Sequence, residues 1–138
     1  EAERCSVVRD FCGHGLGRVF HDRPNILHYG VAGEGVPLKP GMILSNEPGY
    51  YPAGEYGIRL ENLEIVTEAR DIAGGERPML GFETITLVPM DLRLVEPALL
   101  TESERGWLNR YHERVRSEIG PLVGAKQRIW LEQATKAI

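Results

Sequence analysis

Three side chains of this sequence are placed where they could do chemistry together. A histidine stands between glycines in Gly13-His14-Gly15, and two glutamates interrupt otherwise apolar runs. Glu47 lies in Gly41-Met-Ile-Leu-Ser-Asn-Glu-Pro-Gly-Tyr-Tyr51 and Glu61 in Gly57-Ile-Arg-Leu-Glu-Asn-Leu63. One imidazole and two carboxylates suit a hard or borderline divalent metal ion. A carboxylate bridging two such ions, with water acidified toward neutrality, would supply a nucleophile for amide hydrolysis. Read singly, each residue has a plainer account: His14 as a structural histidine, Glu47 and Glu61 as edge-strand residues or partners of Arg59. Glycines on either side of His14 would leave its ring with little steric cover, open to a metal. The Gly13–Gly17 stretch does not fit a phosphate-binding loop, because Pro24 follows too closely for the helix that such a loop must open.

The three groups converge only if the elements carrying them are neighbours, which short connections favour. Ser6–Asp10 reads as a strand entering the glycine-rich segment, Asp22–Asn25 as a turn, and Gly30–Pro40 as a loop rich in glycine and proline. A strand is expected over Met42–Asn46. Pro48-Gly49 and Pro52-Ala-Gly54 mark turns, and a second strand should run from Ile58 to about Thr67. A third is expected over Met79–Val88. The period then changes. Thr101-Glu-Ser-Glu104 has the pattern of a capping box, and Trp107, Leu108, Tyr111, Val115 and Ile119 follow helical spacing until Gly120-Pro121. A short helix over Ala125–Ala134 should bury Ile129, Trp130 and Ala134. Trp107, Tyr111 and Trp130 are expected in a core beneath the sheet. Glu1–Arg4 reads as the last turn of a helix.

With 138 residues, 42% hydrophobic and 26% charged, the chain has the balance of one ordinary globular domain. A formal net charge of −4 without a basic cluster argues against a nucleic-acid surface. No apolar run approaches a membrane span or a signal peptide, so the reading is cytoplasmic with no membrane partner. Cys5 and Cys12 are read as two reduced thiols.

The motifs around the two glutamates, with Gly81-Phe-Glu-Thr-Ile-Thr-Leu87, resemble the carboxy-terminal half of the catalytic domain of aminopeptidase P, the Xaa-Pro aminopeptidase. That resemblance runs from about Val36 to Ile138. The front of the chain, Ser6-Val-Val-Arg-Asp-Phe-Cys-Gly-His-Gly-Leu-Gly-Arg-Val-Phe-His21 with Pro24-Asn-Ile-Leu-His-Tyr-Gly30, is similar to type I methionine aminopeptidase. Both belong to the pita-bread, or creatinase/aminopeptidase, metallopeptidases. The resemblance implies an α+β fold, the C-terminal half of a pita-bread domain, with a curved antiparallel sheet and helices on one side. Residues 1–138 would form a single partial catalytic domain lacking its N-terminal half.

The same resemblance makes His14, Glu47 and Glu61 metal ligands and Arg59 the residue that orients one of them. Glu47 would also relay a proton toward the leaving amine, and His21 would contact the substrate and support the reaction intermediate. The family's metals are manganese, cobalt, zinc or iron, with manganese the first expectation here. Family members complete the site with two aspartates, and Asp10, Asp22, Asp71 and Asp91 do not correspond to them. The expectation is therefore a metal-dependent aminopeptidase acting on peptides, closer to the Xaa-Pro than to the methionyl type, weak or inactive on its own. The alternative is a non-catalytic half-domain serving as a binding module or fragment, with no metal bound. An uncovered sheet edge and apolar face would favour a homodimer.

Overall fold

The computed structural model describes residues 6–138, so the expected helical turn at Glu1–Arg4 and the thiol of Cys5 lie outside the described residues. Two compact units are formed, the first ending at Thr86 and the second running Leu87–Ile138.

The first unit is built on a five-stranded antiparallel sheet. Its strands are β1 (Gly13–Leu16), β2 (Asp22–Ile26), β3 (Ile43–Asn46), β6 (Asn62–Val66) and β7 (Phe82–Thr84), in the spatial order β2-β1-β3-β6-β7. A separate two-stranded ladder joins β4 (Gly49–Tyr50) to β5 (Ile58–Arg59). In β3, Ile43, Leu44, Ser45 and Asn46 face Ile65, Glu64, Leu63 and Asn62 of β6. Leu44 and Val66 are buried there, as is Ser45.

Several expected boundaries move. Ser6–Asp10 forms no strand, and Arg9 instead lies over the ring of Tyr29, 4.6 Å from its centroid. Asp22–Asn25, expected as a turn, belongs to β2. Proline within a strand is tolerated at a sheet edge, where an amide can be lost without breaking the interior ladder, and β2 is an edge strand. The strand expected from Ile58 to Thr67 divides at Leu60–Glu61. Ile58 and Arg59 pair with β4, Leu60 N–H donates to the Pro48 carbonyl at 3.0 Å, and the chain enters the main sheet only at Asn62. Only the middle of Met79–Val88 is a continuous strand. Its flanks are held by isolated bonds: Met79 and Arg70 exchange a pair at 2.9 and 3.0 Å, Thr67 N–H donates to the Gly81 carbonyl and Ile85 N–H to the Leu63 carbonyl, the last two at 2.9 Å.

The second unit holds α1 (Glu102–Ile119) and α2 (Ala125–Ala134). The capping box is present as the sequence implies: Thr101 Oγ1 accepts from Glu104 N–H, and Glu104 reaches back to Thr101 N–H at 2.8 Å. Leu108, Tyr111 and Val115 line one face of α1 and form the core with Leu131 of α2. Leu87, Met90, Leu92, Val95, Ile119 and Ile138 pack around it. The segment before α1 is fastened by Tyr111 O–H to the Val88 carbonyl at 2.8 Å and by Met90 N–H to Nε2 of the buried His112 at 3.0 Å. Asn109 donates to the Ile138 carbonyl and accepts its N–H, which ties down the residues after α2.

The aromatic expectations are only partly met. Tyr111 is buried, but Trp107 is 44% exposed and stacks on Tyr111 with 5.5 Å between centroids. In α2 it is Leu131 that is buried, while Ile129 and Trp130 are 59% and 60% exposed and Ala134 is half-buried. A ten-residue helix presents one narrow face to a small core, and Leu131 takes it.

Candidate functional site

His14 sits in β1 between β2 and β3 and is buried, not laid open by its glycines. Those glycines serve strand approach. A Cβ at Gly13 would lie 2.6 Å from the Ser45 carbonyl oxygen, and one at Gly15 would strike the Arg23 carbonyl. The backbone N–H of His14 donates to Ser45 Oγ at 2.8 Å. Its ring Nδ1 lies 2.9 Å from the Gly15 carbonyl oxygen. A carbonyl can only accept, so Nδ1 carries a proton, and Nε2 is the ring atom turned toward Glu47.

Glu47 follows β3 directly, and its Oε1 lies 3.7 Å from His14 Nε2. The carboxylate is held at both oxygens: Ser45 Oγ donates to Oε1 at 2.7 Å and Arg59 Nη1 donates to Oε2 at 3.0 Å. Its side chain is 9% exposed, whereas that of Arg59 is 43% exposed. Glu61, in the short link between β5 and β6, has Oε2 3.4 Å from Arg59 Nε, so one guanidinium spans both glutamates. His21 is exposed and its ring centre is 4.6 Å from that of His14. The structure therefore strings the sequence-selected residues in one row: His21, His14, Glu47, Arg59, Glu61.

His14 Nε2 and Glu47 Oε1 face one another at 3.7 Å, too far apart for a direct hydrogen bond, an arrangement that a cation between them would satisfy. In this respect the residues fit a divalent metal. Glu61 is turned to Arg59, and among the described residues no group of three or more His, Cys, Asp or Glu side chains is gathered to hold a metal ion. The chain presents a two-donor fragment with a third carboxylate one guanidinium away. Beside Glu47 opens a cavity of about 230 Å³ whose walls include Phe11, Cys12, His28 and Tyr51. The rings of Phe11 and Tyr51 lie 5.6 Å apart.

An antiparallel sheet that brings an imidazole and a carboxylate face to face, accompanied by two helices, is the arrangement of the pita-bread class. Residues 2–68 match metallopeptidase family M24, and residues 78–138 match the C-terminal region of peptidase_M24. The chain belongs to metallopeptidase family M24. A probable Xaa-Pro aminopeptidase P from Coprinopsis cinerea is 40% identical over 91% of this chain and 21% of its own length. One from Arthroderma benhamiae is 42% identical over 91% of this chain and 17% of its own. Among solved structures, an X-prolyl aminopeptidase from Caenorhabditis elegans, described as a cytosolic enzyme with a di-nuclear active site, superposes with a TM-score of 0.77. It is 36% identical, over 92% of this chain and 21% of that one. A methionine aminopeptidase from Rickettsia prowazekii is 37% identical over 57% of this chain, with a TM-score of 0.41 that adds nothing to the fold assignment. The chain thus spans about a fifth of the length of the curated relatives it matches. No helix among the described residues is long and apolar enough to cross a membrane.

The residue that sequence reasoning passed over is Ser45, which touches both His14 and Glu47. Its signal was available: Ser45 and Glu47 are two apart in an extended run, so they share a face, and serine is the polar interruption of Met42–Ser45.

Proposed function

We propose that this chain carries part of the active centre of a metal-dependent aminopeptidase that removes an N-terminal residue from peptides, with proline in second position as the preferred substrate feature. The observation that carries the reading is the opposition of His14 Nε2 and Glu47 Oε1 at 3.7 Å in a chain of the M24 family. His14, Glu47 and Glu61 would hold the cation, manganese in the first instance. Bound there, a divalent ion supplies Lewis acidity toward a peptide carbonyl. The chain's own groups do the rest. Glu47, aligned by Ser45 and Arg59, carries a proton toward the leaving amine, and His21 stabilises charge developing on the carbonyl oxygen.

Activity of this chain by itself is proposed to be weak. Its four aspartates, Asp10, Asp22, Asp71 and Asp91, do not correspond to the two that complete the site in family members, and one is committed elsewhere: Arg93 grips Asp91 and lowers its pKa to about 2. The reading of the chain as a non-catalytic binding module is favoured by one fact, the engagement of Glu61 by Arg59. The two readings part in a peptidase assay with manganese, an Xaa-Pro tripeptide and a Met-Xaa tripeptide, followed by mass spectrometry. Release of the first residue, abolished in Glu47→Gln and greater for the Xaa-Pro peptide, is the expected result. No release above the Glu47→Gln background would favour the module. Pairing of a second copy at the edge strands is proposed as the oligomeric state, and a monomer by light scattering would contradict it.

A further inference from the structure

We propose that Ser45 is the positioning residue of this site, the group that sets Glu47 Oε1 against His14 Nε2. The inference rests on the reading of His14 and Glu47 as metal ligands. Strands β1 and β3 pair through Gly15 with Leu44 and Leu16 with Ile43. Carried one step further, that register would set His14 opposite Ser45, but the His14 N–H is taken by the serine hydroxyl at 2.8 Å. A hydroxyl has one proton to give, and here it goes to Glu47 Oε1 at 2.7 Å. The direction of the relay is therefore fixed: backbone N–H to hydroxyl, hydroxyl to carboxylate. The oxygen that Ser45 grips is the same one that faces His14 Nε2, while Arg59 holds the other.

Three features make this a designed grip. Ser45 is 3% exposed, so water has little access to replace a lost hydroxyl. Its bond to a carboxylate is charge-assisted and stronger than a neutral one. Gly13 also permits the approach, since any Cβ there would meet the Ser45 carbonyl and push the strands apart. One side chain thus couples the placement of both ligands: the backbone of one and the carboxylate of the other. Groups that orient ligands in this way typically change metal affinity about 10- to 100-fold when removed.

The test compares wild type, Ser45→Ala and Ser45→Thr by two readouts on the whole chain. The first is calorimetric titration with manganese. The second, on metal-free protein, is amide hydrogen exchange at His14 together with the carbon-13 resonance of the Glu47 carboxylate. Ser45→Ala should bind manganese at least about tenfold more weakly, lose protection at His14 and shift the Glu47 resonance. Ser45→Thr, which keeps the hydroxyl and suits a strand, should restore all three. Manganese affinity in Ser45→Ala within twofold of wild type would overturn the proposal, as would an unmoved Glu47 resonance. If wild type binds no manganese, the metal reading falls. The exchange and carboxylate signals then judge the Ser45 link on their own: loss in alanine with recovery in threonine supports it, and no change overturns it.

Discussion

Replacing Gly13 by alanine tests the packing that creates the site. The added Cβ would lie 2.6 Å from the Ser45 carbonyl oxygen on β3 and 3.2 Å from the Ile26 Cβ on β2. Non-bonded carbon atoms rest at about 3.5–4.0 Å, so β1 would have to move on both sides at once. Overpacking of this kind costs about 1–3 kcal/mol. For a chain of this size each kcal/mol lowers the melting temperature by roughly 4 °C, giving a fall of about 4–12 °C. Gly35→Ala is the control, because a Cβ there meets nothing within 4 Å and the backbone is unconstrained. That change should be neutral or stabilise by up to about 1 kcal/mol through the unfolded chain. Thermal and urea unfolding followed by circular dichroism would measure both. A Gly13→Ala protein melting within about a degree of wild type, or a Gly35→Ala protein equally damaged, would refute the argument that close strand approach requires the first glycine.

In the second unit, Leu131→Ala should cost about 2–5 kcal/mol because Leu131 is 3% exposed, and Trp130→Ala much less because Trp130 is 60% exposed; urea midpoints would rank them. Thr101→Ala removes the hydroxyl that accepts from Glu104 N–H, so α1 should lose about 1 kcal/mol of stability. Burial, aided by the charge of Arg116, lowers the pKa of His112, which is neutral in the fold where its Nε2 accepts from Met90 N–H. Its contribution is complete above the unfolded value of about 6.5 and is lost as pH falls through the lower folded value. The melting temperature should therefore drop between neutral and mildly acidic pH, and His112→Gln should flatten that part of the profile.

What the sequence revealed, and what it hid, follows from how local each signal is. The capping box at Thr101 and Glu104 depends on four consecutive residues, and it appears as expected. The bounds of α2 were equally legible, but its buried face was not, because a helix of ten residues with Ile129, Trp130 and Leu131 in succession has no single apolar stripe. In the sheet, the existence of strands around Glu47 and Glu61 was readable from apolar runs. The change of partner at Leu60–Glu61 was not, since it depends on Leu60 bonding to Pro48 and not on propensity. His14, Glu47, Arg59 and Glu61 were recognisable from residue type and resemblance, and the structure places them in a row. The role of the glycines was misread. They admit neighbouring strands to His14, and this cannot be seen without knowing that β1 is an interior strand.

The central claim, that His14 and Glu47 face one another as donors to a divalent ion, is tested most directly by manganese titration in a calorimeter on chelator-stripped protein. Wild type is measured beside His14→Ala and Glu47→Gln. The account predicts saturable binding by wild type that each substitution abolishes, with both variants retaining the wild-type far-ultraviolet spectrum. Binding that survives both substitutions would place the ion elsewhere, and no binding by wild type would show that this pair of residues does not hold a metal.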